Sequence, residues 1–123
     1  MRGETLLKMQ CQVSNMIGRM HLDGELIAES RYEPERVLRE WLELDVCRVI
    51  IAMDRVTHID SAGFSTLLAA LHRCRRQDGD LLLVGLNPSL NAIFEVASME
   101  RYFKIFPDLD AAIRHFEQQP LNT

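Results

Sequence analysis

Ile59-Asp60-Ser61-Ala62-Gly63-Phe64 stands between two stretches of opposite character, and this junction decides how the chain is read. Upstream, Val46 to Met53 is nearly continuous apolar sequence with β-branched Val49, Ile50 and Ile51, the composition of a central strand covered on both faces. Downstream, Phe64, Leu67, Leu68, Leu71 and Cys74 recur at the spacing of an amphipathic helix. The junction is thus a strand-to-helix turn. Asp54–Asp60 reads as the loop and Ser61 as the N-cap, its hydroxyl accepting a hydrogen bond from the amide of Gly63 or Phe64. A hydroxyl beside an acid at a helix mouth is also a position where one added phosphate changes what the surface binds.

The alternation of strand and helix extends in both directions from this point. Leu7, Met9, Cys11 and Val13 occupy every second place, as do Met16, Gly18, Met20 and Leu22 after Ser14-Asn15, which predicts an antiparallel hairpin with one buried face. Glu33-Pro34-Glu35 opens a helix, with proline near the first turn and acids at the positive end, and Val37, Leu38, Trp41, Leu42 and Leu44 form its stripe. Asp78-Gly79-Asp80 ends the helix that Phe64 begins. Leu81 to Leu86 is a second buried strand, joined to the first through one helix and therefore parallel to it by a right-handed crossover. Asn87-Pro88 caps and starts the next helix, with Leu90, Ile93, Phe94 and Ala97 inward. Lys104-Ile105-Phe106 reads as a short edge strand. Asp108 caps a last helix bearing Leu109, Ala112, Ile113 and Phe116, and Gln118 to Thr123 is a polar tail expected to fray. The expected fold is α/β, with a mixed central sheet of about four to five strands, about four helices and an N-terminal β-hairpin.

Composition narrows the function. A chain of 123 residues with 47% hydrophobic content suits a single domain over residues 1–123, with its core from about 6 to 116. The formal charge of -4 argues against direct nucleic-acid binding. Arg73, Arg75 and Arg76 form the one basic cluster and read as cations at a helix C-terminus rather than as phosphate contacts. Cys11, Cys47 and Cys74 are sparse and lie inside apolar patterns, as buried free thiols of a reducing compartment do. There is no Cys-x-x-Cys, and His21, His58, His72 and His115 are scattered, so no metal site is expected. No Gly-rich phosphate loop suggests a cofactor. No run approaches the ~18 apolar residues of a membrane span, so a cytoplasmic protein without membrane insertion is expected. Nor is an enzyme expected: Gly-x-Ser-x-Gly is missing, and His58, three residues before Ser61 in a loop, is a poor catalytic base for it. Asp54 and Lys104 give a superficial likeness to the receiver domains of response regulators. Those domains also need an acidic pair after the first strand to hold Mg²⁺, and none follows Leu6–Val13.

The element order, together with Gly24-Glu25-Leu26, Asp60-Ser61-Ala62-Gly63-Phe64, Gly79-Asp80-Leu81-Leu82-Leu83-Val84 and Ile93-Phe94, resembles the STAS domain of the anti-sigma factor antagonist family, from about Leu6 to Phe116. The resemblance implies a partner switch. Ser61 matches the serine phosphorylated by an anti-sigma factor that is itself a serine-protein kinase; the unphosphorylated antagonist binds that anti-sigma factor, and a serine phosphatase restores binding. Ser61 would be a substrate of the kinase and not a nucleophile. The expected partner-binding surface is Glu25 and Ile27, then His58, Asp60 and Ser61, then Ser65 and Thr66 exposed early in the helix. Ile27 stands where active antagonists often carry an aspartate, Ala62 where serine or threonine is commoner, and Ser65 where a second glycine is frequent. The alternative use of the same fold is a constitutively bound STAS subunit of a transporter or a stress-signalling scaffold. A dimer is left open.

Overall fold

Asn15 and Met16 both take left-handed backbone conformations, with φ of 53° and 62°. Two such residues make the tight turn whose twist suits an antiparallel pair. Leu7–Ser14 (β1) therefore folds back on Ile17–Leu26 (β2), with Ser14 opposite Ile17 and Leu7 opposite Gly24. The turn takes in Met16, which the alternation places in the strand. The computed structural model describes residues 5–119, so the expected tail lies outside the described residues from position 120 onward.

Three crossovers follow. Tyr32–Glu43 (α1) leads to Arg48–Ile59 (β3), Ser61–Arg76 (α2) to Asp80–Val84 (β4), and Pro88–Val96 (α3), with a 3-10 turn at Met99–Arg101, to Lys104–Phe106 (β5). Leu109–Glu117 (α4) completes the described fold. The five strands lie in the order β1-β2-β3-β4-β5, parallel except for β1. This is the mixed sheet and helix complement that the sequence predicts. Asn87 and Asp108 cap their helices as expected, accepting from the amides of Leu90 at 2.8 Å and Ala111 at 2.9 Å.

The layers explain which apolar positions are covered. On one face, α1, α2 and α3 bury Met20, Leu22, Val49, Ile51, Leu81 and Leu83 with their own apolar stripes. On the other face α4 works alone, laying Ala112 and Phe116 over Ile17, Ile50, Leu82 and Val84. Trp41 of α1 packs against Gly18 of β2, where a Cβ would come within 2.6 Å of the indole ring. Burial in the hairpin is concentrated in β2. In β1, at the sheet edge, no residue is fully buried.

Several expectations change here. Asp54–Asp60 is not a loop: β3 continues to Ile59, and its second half pairs with β2 from Asp23↔Arg55 to Leu26↔Ile59. Leu44 lies beyond the end of α1 and is 71% exposed, outside the stripe. The second buried strand stops at Val84 rather than Leu86. Cys74 is buried as expected, but Cys47 is only partly covered and Cys11 is exposed, because it sits on the edge strand beyond the helical layer.

Candidate functional site at the start of α2

Since β3 runs to Ile59, a single residue separates strand from helix, and that residue is Asp60. Its backbone is extended, and its side chain supplies the N-cap: Oδ1 accepts from the Gly63 amide at 2.9 Å, while the backbone carbonyl accepts from the Phe64 amide at 3.0 Å. The second carboxylate oxygen, Oδ2, accepts from the Ala28 amide at 3.1 Å. One side chain thus caps α2 and ties the helix to the loop after β2. The Gly63 amide, followed by those of Ala28 and Ala62 and the nearby His58, holds the Asp60 carboxyl below the usual carboxylate range.

Ser61 is accordingly not the N-cap that the sequence suggested. It is the first residue of α2, it is exposed, and its hydroxyl makes no hydrogen bond among the described residues. Asp and Ser are both favoured caps, and the length of β3 selects between them.

Gly63 places the helix. A Cβ there would lie 2.2 Å from the Leu26 carbonyl oxygen and 2.9 Å from Ile59 Cγ1, so only a glycine lets the first turn of α2 sit against the end of β2. The Asp60 amide also donates to the Leu26 carbonyl, at 3.4 Å. Beyond Leu26 the chain makes a compact turn pinned by Ser30, whose hydroxyl accepts from the Ile27 amide at 3.0 Å and donates to the Glu25 carbonyl. That turn aims the Ala28 amide at Asp60.

The structure brings together most of the residues named from sequence. Glu25 and His58 are register partners on adjacent parallel strands, next to the pair Leu26 and Ile59, so His58 belongs to a strand and not to a loop. Glu25 and Ile27 are partly buried, His58 and Ser65 exposed. Thr66 departs from expectation. It is 5% exposed, and its hydroxyl faces the Ala62 carbonyl at 3.1 Å and Glu35 Oε2 of α1 at 3.3 Å. The helical step from Ser65 to Thr66 turns the side chain from solvent toward α1. Sequence reasoning missed Ala28 and Ser30. The spacing Asp60-x-x-Gly63 signals the cap, but nothing local reveals that the second carboxylate oxygen reaches a loop thirty-two positions earlier.

Other charged side chains of the sheet have separate tasks. Asp54 meets His21 at 3.1 Å, whereas Lys104 reaches the buried Asp80 at 3.0 Å, which Arg75 also holds at 3.1 Å. Asp54 and Lys104 therefore do not form a receiver-type pair. Among the described residues, no group of three or more His, Cys, Asp or Glu side chains could hold a metal ion, and no helix is long and apolar enough to cross a membrane.

A five-stranded sheet whose antiparallel hairpin leads into parallel crossovers, with an Asp-capped helix at the end of β3 presenting a serine, defines an α/β domain with a mixed sheet. The sequence pattern of the STAS domain matches residues 8–112, and the chain belongs to the STAS domain family. Among similar proteins, the candidate anti-sigma factor antagonist BtrV of Bordetella bronchiseptica is 27% identical over 104 residues, covering 78% of this chain and 90% of that one. Among solved structures, a candidate anti-sigma factor antagonist from Thermotoga maritima has a TM-score of 0.82 at 17% identity, over 89% of this chain and 94% of the other. The Bacillus anti-sigma factor antagonist SpoIIAA, in its unphosphorylated form, has a TM-score of 0.72 at 14% identity, over 92% of this chain and all of the other. At these identities the solved structures establish the shared fold.

Proposed function

We propose that this protein is a single-domain anti-sigma factor antagonist working as a cytoplasmic partner switch, without catalysis of its own. In its unphosphorylated state it binds an anti-sigma factor that is also a serine kinase, through Glu25, Ile27, His58, Asp60, Ser61 and Ser65. Phosphorylation of Ser61 ends that binding, and a serine phosphatase reverses it. The observation that carries this reading is the freedom of the Ser61 hydroxyl: Asp60 does the capping, and Ser61 stands exposed on the first turn. A phosphate there would meet the positive end of α2, so the fold tolerates it, while about 1.5 to 2 added negative charges beside Asp60 repel a docked partner.

Phosphopeptide mapping of the native protein under growth and stress tests this reading. The tryptic fragment Val56–Arg73 contains Thr57, Ser61, Ser65 and Thr66. Condition-dependent phosphate on Ser61, abolished by Ser61→Ala with partner binding retained, is the expected result. A fragment unmodified in every condition would instead point to a constitutively bound STAS subunit.

A further inference from the structure

Ser61, Ser65, Ala69 and Arg73 follow one another at intervals of four and form one ridge of α2. Across from it stand Arg31, the residue preceding α1, and Glu35 and Arg39, again four apart. Because Ser65 and Ala69 are small, the two ridges do not close on each other. They leave a groove of about 370 Å³ over Leu38, Leu42 and Ala70. Arg31 lies 4.0 Å from Glu35, whose carboxylate is also near the Thr66 hydroxyl. Arg39 and Arg73 have no ion-pair partner among the described residues. A protein of net charge -4 thus lines one concavity with two arginines that lack an ion-pair partner, together with Leu38, Leu42, Ala69 and Ala70.

We propose that the α1–α2 groove receives an acidic segment of a partner protein, with carboxylates spaced to meet Arg39 and Arg73 and a short aliphatic side chain between them. The proposal rests on the partner-switch reading for its biological setting and adds the chemistry of the partner. A protein segment fits better than a nucleic acid: the groove is short, and its lining of Leu38, Leu42, Ala69 and Ala70 gives a peptide's aliphatic side chains a surface to cover that a sugar-phosphate backbone would leave unused. Ser61 stands at the head of the ridge, about 6 Å along the helix axis from Ser65. A phosphate on Ser61 would therefore add charge at the mouth of the groove and oppose an acidic occupant, while the Arg73 end stays attractive.

The test uses the full-length protein and no kinase. The probe is a fluorescein-labelled peptide in which leucines alternate with pairs of carboxylates, and the control is its twin with glutamine and asparagine in place of the acids. Anisotropy should show binding of the acidic peptide that weakens with salt. The twin and the double variant Arg39→Gln/Arg73→Gln should each bind about tenfold more weakly, and Ser61→Asp about threefold more weakly. Amide shift changes on peptide binding should centre on Ser65, Ala69, Ala70 and Leu42. Equal affinity for both peptides, an unaffected double variant, or shifts centred elsewhere would overturn the proposal. So would arginine-dependent binding of an oligonucleotide or an anionic vesicle with the peptide inert. Groove binding with Ser61 never phosphorylated in the cell would sink the switch alone, and a phosphorylated Ser61 with an inert groove would sink the groove alone.

Discussion

Asp60 holds two amides from different parts of the chain, Gly63 at the helix start and Ala28 in the preceding loop. Removing both bonds with Asp60→Ala is expected to lower stability by about 1 kcal/mol in urea unfolding, the usual value of an N-cap. The pH dependence has a definite sign. The folded-state pKa of Asp60 is depressed, so its contribution is fully present above the ordinary value near 3.9 and is lost as pH falls through the lower folded value. Asp60→Asn keeps most of the cap at neutral pH but cannot titrate. Its stability should fall less steeply than wild type below about pH 4, and parallel acid curves would refute the assignment. Gly63→Ala is expected to cost about 2 kcal/mol, since the new methyl group meets the Leu26 carbonyl, which belongs to the rigid end of a strand. The sequence marks both residues within one motif at a strand-to-helix junction. Which backbone Gly63 must approach is not legible there, because that depends on where β2 ends.

At the level of elements, the legible parts were those with a local period. The hairpin, the four helices and the two buried parallel strands follow from alternation, from helical stripes and from the need for a crossover between parallel neighbours. The second half of β3 was hidden. Two register shifts against β2 place its buried residues Met53, Val56 and Ile59 three apart, a spacing that belongs to neither an ideal strand nor a helix stripe. With that half read as a loop, His58 becomes a loop residue and Ser61 the cap, so one missed irregularity shifts the whole site. The contact between α1 and β2 gives a test at this scale. Gly18→Ala pushes a methyl into the Trp41 ring and is expected to destabilise by about 2 kcal/mol, and Trp41→Leu in the same chain should recover part of that loss. Strict additivity of the two substitutions in urea unfolding would show that the packing contact does not set the position of α1.

At the scale of the whole molecule, the three thiols sample three depths: Cys11 on the open edge, Cys47 partly covered with its Sγ 3.3 Å from the Gln77 carbonyl, and Cys74 on the inner side of α2. Burial pushes the Cys74 thiol up to about 12. An aromatic disulfide reagent at pH 8 should therefore modify Cys11 first, Cys47 more slowly, and Cys74 only when α2 leaves the sheet, which makes the Cys74 rate a measure of global opening. This rate separates a switch that acts on the surface from one that acts on the fold. A negative charge at the first position of α2 lies at the favourable end of the helix dipole and away from the core, so Ser61→Asp should leave the Cys74 rate unchanged or slow it slightly. If Ser61→Asp instead accelerates Cys74 modification while Cys11 reacts as before, the charge loosens the packing of α2. Loss of partner binding would then follow from partial unfolding and not from repulsion at the docking surface.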